Sequence, residues 1–205
     1  MLYASGVAHA GKPAGFVLCG GKSSRMGRDK ALLDFRGRPL VAHVAGILRP
    51  LCSEVCLVAG SAAPYSQFGY PVLVDEYPGE GPLGGLLTAL GLGAASWNLV
   101  ISCDLAGIEP GPIAALVELA AESDARAILP RSASGPEPLH GIYSTSLLEE
   151  LNRLWAGGER GLVRALSSVT GVKVIPAADL DAGPHQFLNI NTAEEWLAFR
   201  GGEKV

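Results

Sequence analysis

Lys22, Arg25, Arg28 and Lys30 place four cations within nine residues, directly behind the glycine pair Gly20-Gly21. Two adjacent glycines let the backbone bend sharply and approach a ligand with no Cβ in the way. Cations this dense repel one another unless an anion sits among them. Backbone N–H groups combined with Arg and Lys are the chemistry of a polyphosphate cradle. The segment therefore reads as a nucleoside triphosphate site. A solvated basic face, or a plain glycine turn, competes for either feature taken alone. Their position directly after the hydrophobic stretch Phe16–Cys19, expected as a buried strand, favours phosphate. Two familiar glycine loops do not describe it. Glycines at 20, 21 and 27 do not fit G-x-G-x-x-G. Gly21-Lys22-Ser23 supplies the end of a Walker A loop, but Phe16 stands where its first glycine belongs.

Asp104 is the second residue with chemistry to offer. It follows the apolar run Leu99–Cys103, so its carboxylate stands at the mouth of a buried strand. Magnesium binds through one or two carboxylates together with substrate phosphates and water, and Asp104 suits that role. A turn or cap is the competing reading, since Gly107 and Pro110 follow. Asp75 ends the expected strand Val72–Val74 and is either a nucleotide contact or a turn former. Asn189 and Asn191 alternate around an expected strand, Gln186–Ile190, and would point the same way; turn chemistry before a last helix competes equally. His140 lies on the expected strand Leu139–Tyr143 and either approaches a ligand or packs.

The elements that must position these residues alternate. Strands are expected at Phe16–Cys19, Glu54–Ala59, Val72–Val74, Leu99–Cys103, Ala127–Leu129, Leu139–Tyr143, Val172–Ile175 and Gln186–Ile190. Helices are expected from the spacing of Leu40, Val41, Val44, Ile47, Leu48 and Leu51, and over Gly81–Leu92. Further helices follow around Ile113–Ala120, Thr145–Trp155, Leu162–Leu166 and Ala193–Phe199, the last capped by Thr192. Such alternation implies a mainly parallel sheet with helices on both faces. Ligands bind such sheets beyond the carboxyl ends of the strands, at the switch point. The glycine loop and Asp104 both fall on that rim.

The 205 residues, 48% of them hydrophobic, suffice for one ordinary domain with a real core. A formal charge of −4 argues against nonspecific nucleic-acid binding and makes the basic loop a local concentration. No apolar run is long enough to span a membrane. Residues 1–13 read as a loose N-terminal tail without the pattern of a secretory signal, and 14–205 as the domain. Cys52 and Cys56 lack a second pair, so zinc is not expected. Cys19 and Cys103 end strands expected to be neighbours. A cytoplasmic location favours reduced thiols, with buried packing as their default role.

The pattern L-x-G-G-x-x-x-R-M-G-x-D-K over Leu18–Lys30 resembles the signature loop of the nucleotidyltransferases with a GT-A-type fold. Within them it is most similar to the molybdenum cofactor guanylyltransferases, the MobA family. Matches continue in order through Gly81-Pro-Leu-Gly-Gly85, Ser102-Cys-Asp-Leu105, Pro138-Leu-His-Gly-Ile-Tyr143 and Phe187-Leu-Asn-Ile-Asn-Thr192. The resemblance implies a single-domain, three-layer, Rossmann-like α/β fold. It implies transfer of GMP from GTP to the terminal phosphate of the molybdopterin–molybdenum cofactor, with Mg2+ held by Asp104. Arg25 and Lys30 would act on the triphosphate. Leu18, Cys19, Gly20, Gly21, Asp75, Pro82 and Leu83 would contact the nucleotide, and Asn189 and Asn191 the acceptor. Guanylyl members tend to carry Gly-Gly at positions 20–21 and cytidylyl relatives Ala-Gly, so Gly20 favours GTP. Val58 stands where many members have Asn, with Ser61 as a substitute. Leu105-Ala106 replaces the more usual residues after the metal aspartate. A molybdoenzyme or cofactor-insertion protein is the implied downstream partner. A cytidylyltransferase, a sugar or small-phosphate nucleotidyltransferase, and a noncatalytic nucleotide-binding protein are the alternatives.

Overall fold

The structure, a computed structural model, describes residues 11–20, 29–61, 64–93, 95–190, 195, 196 and 199. The first element, β1 (Ala14–Cys19), is apolar throughout because both of its faces are covered. Ala14, Phe16 and Leu18 enter one core, and Val17 and Cys19 enter the other. A short hairpin follows, β2 (Asp34–Phe35) with β3 (Arg38–Pro39). Its turn residues Arg36 and Gly37 both have positive φ, the twist that a two-residue hairpin requires. Then come α1 (Leu40–Leu48), β4 (Glu54–Ala59), β5 (Val72–Val74), α2 (Pro82–Leu92), β6 (Trp97–Ser102) and α3 (Pro110–Ala121). The chain continues through β7 (Ala127–Ser132), β8 (Gly135–Pro136) and β9 (His140–Ser144). It then runs through α4 (Leu148–Ala156), α5 (Leu162–Ser168) and β10 (Val172–Pro176).

The main sheet has the order β10-β7-β9-β6-β1-β4-β5, with β8 added beside β7. β1 pairs in parallel with β4 and β6, β4 with β5, and β7 with β10. Only β9 and the short β8 run against the rest. Helices α1 and α3 pack on one face; α2, α4 and α5 pack on the other. This is the expected three-layer α/β architecture in one domain. From β1 the chain steps outward to β4 and β5, then crosses back to place β6 on the other side of β1. That reversal opens a crevice at the carboxyl ends of β1 and β6.

Helix α2 shows how the sequence fixes a local structure. Pro82 occupies its first turn, where a missing N–H costs nothing. Gly81 before it has φ 92°, a conformation that glycine adopts freely. Leu83, Leu86, Leu87 and Leu90 are buried, each contributing roughly 1.5–3 kcal/mol of transfer free energy.

The expected strand at Gln186–Ile190 does not form. The N–H groups of Gln186 and Leu188 donate to the carbonyls of Gly183 and His185, at 3.1 and 3.0 Å. Local turns thus take the donors that a ladder would need, and one isolated bridge remains, between Asn189 and Leu105. Thr145–Trp155 begins as a 3-10 turn, Thr145–Leu147, capped by the Ser144 hydroxyl, before α4 proper. Most of the expected tail, residues 1–10, and most of the final helix lie outside the described residues. Within the tail, Pro13 is tied down: its carbonyl accepts from the Ser53 N–H at 2.9 Å. Among the described residues no helix is long and apolar enough to cross a membrane.

Candidate functional site

Four strand ends converge on one cavity of about 490 Å³. β1 contributes Leu18, Cys19 and then Gly20; β4 contributes Val58 and, just beyond it, Gly60. Asp75 follows β5, and β6 brings Ser102 and Asp104. The start of α2, with Gly79, Gly81, Pro82 and Gly85, closes one side. Of the expected nucleotide contacts, Leu18, Cys19, Gly20, Asp75, Pro82 and Asp104 are therefore brought together. Arg25 and Gly21 lie outside the described residues, as do Lys22, Arg28 and Asn191.

Asp104 is partly exposed at the end of β6. The Ser102 hydroxyl donates to its Oδ1 at 2.6 Å. The Asp104 carbonyl accepts from the Ile190 N–H at 3.1 Å, so the C-terminal segment braces the aspartate backbone. Oδ2 has no hydrogen bond among the described residues. Asp75 is both a turn former and a wall of the cavity. Its Oδ1 accepts from the Tyr77 N–H at 2.9 Å and from the Thr88 hydroxyl at 3.0 Å. Thr88, fully buried on α2, accepts in turn from the Glu76 N–H at 3.1 Å. One carboxylate oxygen thus holds the turn, while the residue lines the cavity.

The glycines sort by role. Among the described residues a Cβ on Gly20 would meet nothing within 4 Å, whereas one on Gly84 would come within 2.7 Å of the Tyr77 Cβ. Gly20 thus leaves space, and Gly84 permits close packing. Leu83 departs from expectation. Its side chain is fully buried in the core and does not line the cavity; only its backbone, in the first turn of α2, could serve a ligand. Val58, at the position where many family members have Asn, gives an apolar wall, and Ser61 is not on the wall. Gly60, Pro78 and Gly79 were not anticipated, having no chemistry visible in the sequence. Leu139 also lines the cavity, and only its place in the Pro138–Tyr143 motif marked it.

Lys30 opens a one-turn 3-10 helix, Lys30–Leu32, and is half-buried. Cys19 and Cys103 are neighbours across β1 and β6, with the Cys103 N–H donating to the Leu18 carbonyl at 3.1 Å. A hydrogen bond to the Cys103 thiol, and then burial, hold the Cys19 pKa well above the ordinary thiol range. All four cysteines are free and buried, so they pack. Cys52 and Cys56 enter opposite cores, which removes them as a ligand pair.

Asn189 does not sit on a strand, but its bridge to Leu105 puts it on the wall of an adjoining cavity of about 340 Å³. That cavity shares Pro82 and Leu139 with the first. His140 packs. It is 1% exposed, and its Nε2 lies 3.0 Å from Gln186 Nε2. The Gln186 Oε1 accepts from the Glu109 N–H at 2.8 Å, so the amide presents NH2 to His140. His140 Nε2 is then the acceptor and the ring is neutral; burial lowers its pKa to about 3. A third cavity, about 470 Å³, lies among Phe35, His43, Ile108 and Leu188. No strand-end aspartate is among its described lining residues.

The model of the MobA-like NTP transferase domain matches residues 15–172. A probable molybdenum cofactor guanylyltransferase of Mycobacterium marinum is 36% identical over 187 residues, covering 89% of this chain and 90% of the relative. The molybdopterin-guanine dinucleotide biosynthesis protein A of Archaeoglobus fulgidus superposes with a TM-score of 0.77 at 23% identity, covering 90% of this chain and 95% of that one. A Mycobacterium tuberculosis protein solved in complex with manganese superposes with a TM-score of 0.69 at 19% identity, covering 92% and 97%. The last two establish the fold. The rim of paired strand-end aspartates and glycines lies on a chain that these matches span almost throughout, and the chain belongs to the MobA-like nucleotidyltransferases.

Proposed function

We propose that this protein transfers GMP from GTP to the terminal phosphate of the molybdenum-bearing molybdopterin cofactor, releasing pyrophosphate and leaving the guanine dinucleotide form. The observation that carries the reading is the convergence of Asp104, Asp75 and Gly20 on one cavity at the sheet's switch point. The relatives' names supply the guanine and the pterin. A phosphate oxygen of the acceptor attacks the α-phosphorus in line, and the bond to pyrophosphate breaks. The attacking oxygen is already anionic, so no strong general base is required. Lys30 and Arg25 offset charge on the triphosphate, and catalysis is positioning plus electrostatics.

The residues present suit a hard divalent cation. No group of three or more His, Cys, Asp or Glu gathers among the described residues. Magnesium does not need one, because it binds through one or two carboxylates and takes the rest of its shell from phosphates and water. Asp104, whose Oδ2 has no hydrogen bond among the described residues, would hold it, and Asp75 lines the same cavity. Bound there, magnesium supplies charge neutralisation to the reacting phosphates. Asn189 and the adjoining cavity receive the acceptor, and Pro82 and Leu139 form the wall between the two substrates. The work takes place in the cytoplasm, where the four thiols stay reduced.

The test is binding and transfer with GTP, CTP, ATP and UTP, using purified protein and magnesium. GTP should bind at least about tenfold more tightly than CTP, a difference near 1.4 kcal/mol. Equal affinity for the two would remove the guanylyl assignment. Tight GTP binding with no transfer would leave a noncatalytic nucleotide-binding protein.

A further inference from the structure

We infer that Tyr65 is a positioning residue for Lys30, acting through Asp29; the inference rests on the phosphate role of Lys30 proposed above. Tyr65 lies in the connection between β4 and β5, 36 residues from Asp29, and is 5% exposed. Its hydroxyl donates to Asp29 Oδ2 at 2.5 Å. The other carboxylate oxygen, Oδ1, accepts from the Ala31 N–H at 3.0 Å. Asp29 is thereby clasped on both oxygens, and it is the cap of the 3-10 turn that Lys30 opens.

That turn cannot hold itself. It has only two backbone bonds of its own, Leu32 N–H to Asp29 at 3.1 Å and Leu33 N–H to Lys30 at 3.1 Å. Single turns are poor at fixing a geometry without outside contacts. Ala31 anchors the turn in the α1-side core, and the Tyr65 phenol, also fixed by that core, ties down its cap. The Tyr65 carbonyl accepts from the Phe68 N–H at 3.1 Å, and the ring is part of the α1-side core. The clasp also sits beneath the rim. Tyr65 shares its buried cluster with Cys19, the last residue of β1, and with Cys103. Cys103 immediately precedes Asp104. The Tyr65–Asp29 bond therefore sets where the Lys30 backbone starts relative to the strand ends that carry the aspartates. A lysine side chain is long and rotatable, so its reach depends on that starting point.

The experiment is a double-mutant cycle of Tyr65→Phe and Lys30→Ala. It reads kcat and KM for GTP in the transfer reaction, GTP affinity, and thermal midpoint. Tyr65→Phe keeps the ring and removes only the donor. In the otherwise unmodified enzyme it should lower kcat/KM about tenfold or more, with most of the loss in kcat. In the Lys30→Ala background it should change the rate less than about twofold, because the group it positions is gone. A merely structural phenol would cost the same factor in both backgrounds, and that result overturns the inference. Where Lys30→Ala leaves too little turnover to measure, the same pattern is required of GTP affinity. Asp29→Asn is the second variant; it too should be non-additive with Lys30→Ala, and additivity counts against the clasp. A Lys30→Ala enzyme with normal kinetics would refute the phosphate role of Lys30 itself. An impaired Lys30→Ala enzyme beside a normal Tyr65→Phe enzyme would refute only the positioning.

Discussion

Gly20→Ala separates base recognition from folding. Gly20 has ordinary backbone geometry, outside the left-handed region, and among the described residues an added Cβ would meet no atom within 4 Å. An alanine there should leave stability unchanged, or raise it by up to about 1 kcal/mol through the stiffer unfolded chain. The same Cβ projects at the wall of the 490 Å³ cavity, at the carboxyl end of β1, where the base is proposed to lie. A methyl group forced into a fitted site costs about 1–3 kcal/mol, which is about 5- to 150-fold in affinity. A purine fills the space that the missing Cβ leaves. A pyrimidine is smaller and should lose less than about threefold, or about 0.6 kcal/mol. Calorimetric titration with GTP and CTP, paired with a thermal melt, reads all three numbers. An equal loss for both nucleotides would place the base elsewhere. A lowered melting point would mean that position 20 packs against something, contrary to the open space around it.

Asp104→Ala should abolish magnesium-dependent guanylyl transfer while the melting point stays within a few degrees, since a partly exposed carboxylate adds little to the core; retained turnover at an unchanged magnesium requirement would put the metal elsewhere. Gly84→Ala should destabilise. Its Cβ would come within 2.7 Å of the Tyr77 Cβ, and Tyr77 is backed by Trp155 at 4.7 Å between ring centroids. Overpacking of about 1–3 kcal/mol then exceeds the roughly 1 kcal/mol gained in helix propensity, and a urea midpoint at or above that of the unmodified protein would show that Tyr77 yields. Stability should also fall with acid. Burial lowers the pKa of His140 to about 3, and burial with Arg38 and Arg36 lowers that of His43 to about 4. Both rings bind protons more readily when unfolded, so their contribution is complete above about pH 6.5 and is lost as pH falls from there toward 4, at up to about 1.4 kcal/mol per unit for each ring. A urea midpoint flat between pH 7 and 4.5 would refute this.

The parts of the site legible in the sequence are those in which one residue announces its own environment. Asp104 directly after Leu99–Cys103 reads as the end of a buried strand, and Gly20 directly after Leu18-Cys19 reads as the end of another. The parallel packing of such strands then brings the two together. What stayed hidden depends on contacts between distant segments. Tyr65 reads as an ordinary aromatic until the fold places it on Asp29. His140 reads as a candidate ligand until the fold buries it and sets the Gln186 amide against its Nε2. The antiparallel course of β9 left no mark on an apolar strand buried on both sides. Gln186–Ile190 was expected as a strand, but the carbonyls of Gly183 and His185 take the N–H groups of Gln186 and Leu188. Leu83 sat inside a motif shared with nucleotide contacts, and the helical period then turned it inward.

The bond from the Ile190 N–H to the Asp104 carbonyl has a temporal meaning. Chains emerge from the ribosome amino end first, and their early segments begin to fold as they appear. The strands β1, β4, β5 and β6 are all synthesised by residue 102. Most of the nucleotide rim can assemble while the rest of the chain is still being made. The brace on Asp104 arrives only when residue 190 has cleared the exit tunnel. A nascent chain can thus possess most of this strand-end rim before the backbone of Asp104 is braced by Ile190.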